Sequence, residues 1–561
     1  MDMSSEKLID GYYAEMGRVA LQPHGFLGAL RVLFGDPARE RVITNHHLSR
    51  LFARWRGYPN VVRPRNFECY EALRHAFRLL ARKGVPVFEY RGVRLQDGCR
   101  LTPSERRRQK TNRGFPEMYR DPLRYEAEYR ELLGDRFSPE YVRELADVPQ
   151  TVQVGPLVAN GDKRGPYLNV SGGVRFTPGQ PGAYRRTIHV YGACTAFGYC
   201  CEDAETMPAR LQAILNARGY EDVRVVNHGF WDANRRMIGE SFLNDCISLG
   251  PNDIVLLHSF TFEDDDEAAF YPKLGVRVRD FSADWFAGRT AAMGFYNNPT
   301  HMNPAGAGYL AELIAEDLLS AGLKATPPDP EEMAKLDVTK VTAYLKSLRD
   351  PSFERDVKAY TDGILAEHPA GPEVKLKGAI CMNANPFTYG HRRLVEYAAA
   401  RVDRLYVIVL QAERSYFTFA QRFEAVREGC RDLANVIVLA SGRFQGTAFA
   451  NPEYFMKDCV KDPSFDASRD VDIFGEYIAK PLGITKRFCG EEPDDPVTAT
   501  FNRSLAERLP RYGVEFVEIP RFTADDGRRI SGTEVRRLVQ EKRFDELKRL
   551  VPPATYEVIT R

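Results

Sequence analysis

The chain has 561 residues, 43% hydrophobic and 28% charged, an ordinary globular composition and too long for a single core. Its 78 Lys and Arg balance 77 Asp and Glu to a formal net charge of +1, which gives no support to bulk binding of nucleic acid or a membrane surface. No stretch is long and apolar enough to span a bilayer, the N-terminus MDMSSEKLIDGYYAEMG lacks a signal-peptide core, and the scattered cysteines form neither a disulfide framework nor paired zinc spacing, so a cytoplasmic protein without a membrane span is expected.

Residues 1–165 read as a mixed, mostly helical region of unknown role. FECYEALRHAFRLLARKG has apolar residues at helical spacing and ends on Gly84, and PVFEYRGVRL follows as a strand. The basic run SERRRQKTNR from Ser104 reads as a solvated helix face, and the adjacent His46 and His47 point to different faces and read as structural. VGPLVANGDKRGPYLNVSGG and FTPGQPGAY, rich in Gly, Pro and Asn, read as turns or a small β segment.

From Arg186 the pattern alternates. RTIHVYG, DVRVVNHG and DIVLLHSF read as strands; ETMPARLQAILNARG, SFLNDCISL and AGAGYLAELIAEDLLSAG read as helices. Alternation of this kind predicts a parallel sheet with helices on both faces, here over residues 166–325. EDDDE, at 263–267, reads as a solvated acidic loop. ATPPDPEE and HPAGPE mark breaks around a helical connector, residues 326–371. Residues 372–561 alternate again, with strands VKLKGAICM, RLYVIVL, NVIVLA, TKRFCG and VEFVEI and helices starting near Gly390, Ala420, Val471 and Thr498. The expected fold class is α/β: two separate parallel-sheet domains plus a largely helical N-terminal region.

NANPFTYGH, residues 383–391, directly follows the first strand of the last domain and leads into a helix. In open parallel sheets, ligands sit beyond the carboxyl ends of the strands. Gly390 lets the backbone approach a ligand closely, and His391 opens a helix whose amides and dipole attract phosphate. An imidazole there donates to phosphate oxygens and to charge developing in a transition state. Asn383, Asn385 and Thr388 add neutral donors. ISGTEVRRLV, from Ile530, repeats the strand–loop–helix setting, with hydroxyls at Ser531 and Thr533 and a guanidinium fork at Arg536. Two helix N-termini with a His and an Arg suit a triphosphate whose α-phosphorus is attacked while pyrophosphate leaves. The plain alternative is two capped helices with incidental polar residues.

The pair T-x-G-H and I-S-x-[ST]-x-[VI]-R resembles the HxGH nucleotidyltransferase superfamily, with Thr388 where the first His usually stands. More narrowly, GAICMNANPFTYGHRRLVEYAA, SYFTFAQRFEAV, FCGEEPDDPVTATFN and ISGTEVRRLV resemble the C-terminal domain of citrate lyase ligase, where that Thr is normal. The resemblance implies a Rossmann-like domain that uses ATP, with Mg2+, to form an acyl-adenylate from acetate. The acyl group then passes to a thiol of the citrate lyase acyl carrier. It further implies that Asn383, Thr388 and His391 line the ATP phosphates and that Ser531, Thr533 and Arg536 hold the leaving pyrophosphate. Gly490, Glu491 and Thr498 fall in the family's matching segment near the nucleotide or acid, with loop ordering or helix capping open for Glu491 and Thr498. Arg422 contacts the nucleotide, orders its loop or serves as a structural ion-pair residue. The ligands of the metal stay unassigned.

The 166–325 domain resembles the SGNH (GDSL-type) hydrolases in VYGACTAFG, VVNHG and NNPTHMNPAG. Cys194 stands in place of the nucleophilic Ser, Ala193 in place of the Asp before it, and Asn298 in place of the acid before His301; HSFT lacks the oxyanion-hole Asn. Either this is a retired hydrolase kept as a scaffold, or Cys194, His301 and Asn298 form a thiol triad that can carry an acyl group. Cys200 and Cys201 read as small packed residues.

The expected function is ATP-dependent activation of a small, acetate-like carboxylic acid, followed by acyl transfer to a thiol on a carrier protein, on a citrate lyase-like complex or on Cys194. One rival is a cytidylyl- or adenylyltransferase acting on a phosphorylated sugar or alcohol for surface polysaccharide. Another is a non-catalytic scaffold.

Overall fold

The computed structural model describes residues 63–91, 123, 126–149, 151–182, 184–199, 201–231, 235–258, 270–281, 304–348, 350, 352–411, 415–447, 449–450, 452, 456, 467–491, 496–520 and 530–561. His46, His47, the Ser104 basic run, Cys200, the 263–267 acidic run, Asn298 and His301 lie outside the described residues. The chain divides into two compact units, 1–344 and 345–561. Among the described residues no helix is long and apolar enough to cross a membrane.

The first unit contains helix α1 (Arg63–Arg82) and strands β1 (Val87–Arg91), β2 (Thr151–Val154), β3 (Leu157–Asn160), β4 (Val170–Ser171), β5 (Val174–Arg175), β6 (Arg186–Gly192), β7 (Val223–Asn227), β8 (Asp253–His258) and β9 (Val276–Asp280). Helices α2 (Cys194–Phe197), α3 (Met207–Ala217), α4 (Arg235–Cys246) and α5 (Pro304–Ser320) alternate with the later strands. β2 and β3 pair with each other, and the rest form one sheet in the order β4-β5-β7-β6-β8-β1-β9. Ile188 and Val190 of β6 pack with Leu211 and Leu215 of α3 and Leu310 and Ile314 of α5. The opposite face carries Tyr191, whose ring meets Phe242 of α4 at 5.4 Å; Phe242 in turn meets Phe77 of α1 at 5.5 Å.

Two features differ from the sequence expectation. The sheet is mixed, not purely parallel, because β4 and β5 form an antiparallel hairpin and β5 runs antiparallel to β7. Gly172 and Gly173, at φ +58° and +81°, close that hairpin in the doubly positive backbone that suits strand twist. The region before residue 166 also does not stand apart. β1 inserts between β8 and β9, parallel to both. Phe88 and Tyr90 of β1 belong to the same core as β6 and β8, and the Tyr90 hydroxyl donates to Asp317 of α5 at 3.1 Å.

The second unit holds α6 (Phe353–Glu367), β10 (Lys377–Met382), α7 (Tyr389–Ala399), β11 (Arg404–Val409), α8 (Phe419–Gly429), β12 (Val436–Ala440), α9 (Ser468–Ile473), β13 (Lys486–Gly490), α10 (Pro496–Arg508), β14 (Glu515–Ile519), α11 (Gly532–Gln540) and α12 (Pro553–Thr560). Its sheet is wholly parallel, in the order β12-β11-β10-β13-β14. Counted along the chain this is 3-2-1-4-5, a Rossmann-like order whose direction reverses between β10 and β13. Ile380 and Met382 face a core shared with α7 and α8, and Ala379 faces the opposite one, shared with α6 and α9. β10 pairs with β13 only at Gly378–Lys486 and Ala379–Arg487. Pairing stops three residues before β10 ends, at the carboxyl edge where the order reverses, the place where open parallel sheets form their ligand crevice.

Candidate active site

The segment after β10 is held by its own polar residues. Ala384, at φ +48°, turns the chain in the left-handed region that non-glycine residues seldom adopt. Thr388 is 2% exposed and caps α7. Its backbone N–H donates to His391 Nδ1 at 3.1 Å, and its Oγ1 lies 2.9 Å from the same nitrogen and accepts the His391 N–H. This is a capping box in which histidine takes the place usually held by Glu or Gln. Nδ1 is an acceptor here, so the neutral ring carries its proton on Nε2. Phe387 stacks on the imidazole with ring centroids 5.9 Å apart. The sequence pattern places His391 at a helix start; the structure adds that its tautomer and ring plane are set by Thr388.

Of the first three amides of α7, Tyr389 donates to the Leu550 carbonyl at 3.0 Å and His391 to Thr388. The Gly390 N–H has no partner among the described residues. A Cβ added at Gly390 would meet Thr388 Oγ1 at 3.5 Å and Ile530 at 3.9 Å, ordinary contacts. Internal packing therefore does not require glycine here.

Arg422 of α8 is 1% exposed. Its Nη1 donates to the Asn383 carbonyl (2.7 Å), Asn383 Oδ1 (2.9 Å) and the Leu410 carbonyl (2.8 Å), and its Nε to the Phe417 carbonyl (3.2 Å). This places Arg422 as the tie between the loops after β10 and β11. Asn385 Oδ1 accepts the Phe417 N–H at 3.1 Å, and Ser415 Oγ donates to Asn383 Oδ1 at 3.1 Å. Both asparagine oxygens thus serve loop closure.

The second motif meets the first. Ser531 caps α11 by accepting the Thr533 N–H at 3.2 Å. Arg536, one turn along, donates from Nη2 to Thr533 Oγ1 at 2.9 Å and from Nη1 to the Asn385 carbonyl at 2.7 Å. A Cβ at Gly532 would lie 3.1 Å from that same carbonyl, so the close approach of α11 to the loop favours glycine there. Two helix N-termini and a guanidinium converge at the carboxyl edge of β10.

Gly490 and Glu491 lie at the end of β13, across the crevice. Glu491 is exposed and its N–H donates to Ile519; Gly490 has open space where a Cβ would be. Asn502 of α10, a residue the sequence reading does not single out, donates to the Gly490 carbonyl at 3.1 Å and to Glu518 at 2.7 Å. Thr498 is partly buried in the first turn of α10. Among the described residues no group of three or more His, Cys, Asp or Glu could cage a metal. The donor set at the two motifs, hydroxyls and amides, fits a magnesium ion carried largely by phosphate oxygens and water.

In the first unit, Cys194 opens the one-turn helix α2 and is partly buried against a cluster of Leu133, Phe137, Tyr141, Val142, Leu145 and Tyr199. A Cβ at Gly229 would sit 2.2 Å from the Phe197 nitrogen, so close packing on α2 explains the glycine of VVNHG.

Residues 377–559 match the family described as the citrate lyase ligase C-terminal domain. The chain is similar to a citrate (pro-3S)-lyase ligase of Haemophilus influenzae, 36% identical over 192 residues, which cover 33% of this chain and 56% of the relative. It is also similar to a citrate (pro-3S)-lyase ligase of Klebsiella pneumoniae, 34% identical over 182 residues, 32% of this chain and 53% of the relative. The chain thus spans about half the length of the curated relatives it matches. Among solved structures, Plasmodium falciparum nicotinic acid mononucleotide adenylyltransferase complexed with APC is similar at 14% identity and a TM-score of 0.21, over 33% of this chain and 94% of that one.

Proposed function

We propose that residues 372–561 activate a small carboxylic acid with ATP, releasing pyrophosphate, and that the acyl group then passes to a thiol. The observation that carries this reading is the meeting of two phosphate-type helix N-termini, α7 and α11, through the Arg536–Asn385 hydrogen bond. The match of residues 377–559 to the citrate lyase ligase C-terminal domain supports the choice of an acid over a phosphorylated sugar. In the first step an acid oxygen attacks the α-phosphorus, an O–P bond forms, and the bond to pyrophosphate breaks. In the second, a thiol sulfur attacks the acyl carbon, loses its proton, and AMP leaves. The Nε2–H of His391 donates to the phosphate oxygens as charge shifts onto the leaving group, and the Gly390 amide, Ser531 and Arg536 hold the phosphates. Magnesium, carried on the triphosphate, supplies charge neutralisation. The acceptor thiol is proposed to belong to an acyl carrier of a citrate lyase-like complex, because Cys194 serves as part of a packed cluster. A cytoplasmic location fits such a partner.

The test is ATP–pyrophosphate exchange against a panel of short carboxylic acids, with CTP and sugar phosphates in parallel. Acid-dependent exchange is expected. Exchange that instead requires a phosphorylated sugar would replace this reading with a nucleotidyltransferase, and no exchange in any well together with no ATP binding by calorimetry would favour a scaffold.

Gly390→Ala provides a second check. The added methyl makes only ordinary contacts inside the protein, and alanine is the better helix former, so melting temperature should hold or rise. ATP affinity should fall about tenfold, the loss of one close backbone contact of about 1.4 kcal/mol. Unchanged affinity by calorimetry would remove Gly390 from the phosphate site.

A further inference from the structure

The second unit buries a cation that no carboxylate among the described residues meets at salt-bridge distance. Arg487, the second residue of β13, is 3% exposed. Its Nη1 donates to Cys381 Sγ, and its guanidinium lies over the Phe474 ring, 4.6 Å from the centroid. Its Nε has no hydrogen-bond partner among the described residues. Among the described residues no carboxylate lies within ion-pair distance of it, in contrast to the buried Arg175, which pairs with Asp203 at 3.2 Å. A thiol is a weak acceptor, and a buried guanidinium is normally matched by a carboxylate or a fan of carbonyls. Asp470 of α9 faces it without coming within salt-bridge distance. Burial pushes that carboxyl up to about 6, against the pull of Arg487, and its Oδ1 is occupied by the Gly446 N–H at 3.0 Å.

Position gives this buried cation its meaning. Arg487 is in register with Ala379, but its head group reaches Cys381, two residues nearer the carboxyl edge of the sheet. That is where β10 and β13 cease to pair, below the loop carrying His391 on one side and Gly490 on the other. We propose that Arg487 binds the carboxylate of the acid to be activated, seating a short-chain monocarboxylic acid in the crevice between β10 and β13. The assignment rests on the acid activation proposed above. A guanidinium that holds one carboxylate oxygen keeps the acid ionised and leaves the other oxygen to attack the α-phosphorus. Cys381, partly exposed beside the guanidinium, offers a small apolar contact that suits a short alkyl tail. A phosphate dianion there would leave excess negative charge facing Asp470.

The experiment uses the full chain, as wild type, Arg487→Gln and Arg487→Lys, with melting curves and calorimetry of a non-hydrolysable ATP analogue as controls for folding. Arg487→Gln should raise the KM for acetate in exchange about tenfold or more, the loss of a charge-assisted contact, with analogue affinity unchanged. Arg487→Lys, which keeps the charge without the fork, should fall between and serves if the Gln variant does not fold. An unchanged acetate KM in a folded variant would overturn the assignment, as would inorganic phosphate competing with acetate as strongly as propionate does. If wild type shows no acid-dependent exchange, the proposed activity fails by itself. Direct titration of carbon-13 acetate by NMR then decides the site: binding weakened in Arg487→Lys upholds it, and equal binding or none in wild type overturns it.

Discussion

His391→Ala should lower acid-dependent exchange by on the order of 100-fold or more, the usual cost of removing one preorganised transition-state donor. The physical basis is the fixed ring. Thr388 donates to Nδ1 from its backbone at 3.1 Å, so the imidazole presents Nε2–H without having to choose a tautomer or an orientation. The loss should fall on kcat, with ATP affinity changed little, because the donor acts on charge that develops only as pyrophosphate departs. Thr388→Ala should give a smaller loss in rate. It removes the hydroxyl half of the cap, about 1 kcal/mol of helix stability, but leaves the backbone donor to the ring. Stopped assays with radiolabelled pyrophosphate would read both. Wild-type turnover in His391→Ala would reduce the histidine to a helix cap.

Arg422→Met should destabilise the second unit by about 3 kcal/mol or more, since three buried carbonyls would lose a charged donor. Its melting transition should then drop by on the order of 10 °C. The guanidinium links Asn383 after β10 to Leu410 and Phe417 after β11. Its removal would free the loop after β10 at its first residue, and activity should fall with stability. A variant that melts like wild type yet loses ATP affinity would instead make Arg422 a direct ligand contact.

The relation between these two residues shows how much could be read ahead of the structure. His391 announces itself because its role is local: a cap three residues away and a helix start. Arg422 does not, because a buried arginine in an amphipathic helix looks the same whether it meets a nucleotide or a backbone carbonyl. Its acceptor at Asn383 lies 39 residues away in the chain, and no periodicity encodes that. Asn383 and Asn385 were legible as polar loop residues, but not the use of their oxygens to close the loop on residues 415–417. In the first unit, Cys194 could be placed after a strand, while its packing against Tyr141 and Leu145 could not.

By itself the sequence determined the alternating strands and helices of both units, and the two helix starts that follow the strand–loop segments at Thr388 and Ser531. All of these follow from short-range spacing and from the donors and acceptors of neighbouring residues. Only the tertiary structure decided that β1 enters the sheet between β8 and β9, that the first unit's sheet is mixed, and that β10 and β13 part after Ala379. It alone brought Arg536 to Asn385, 151 residues away, and left Arg487 buried with an Nε unpartnered among the described residues. Strand order and the partner of a long charged side chain depend on which surfaces the whole chain buries together, and that is set by the packing of distant segments and not by the residues beside them.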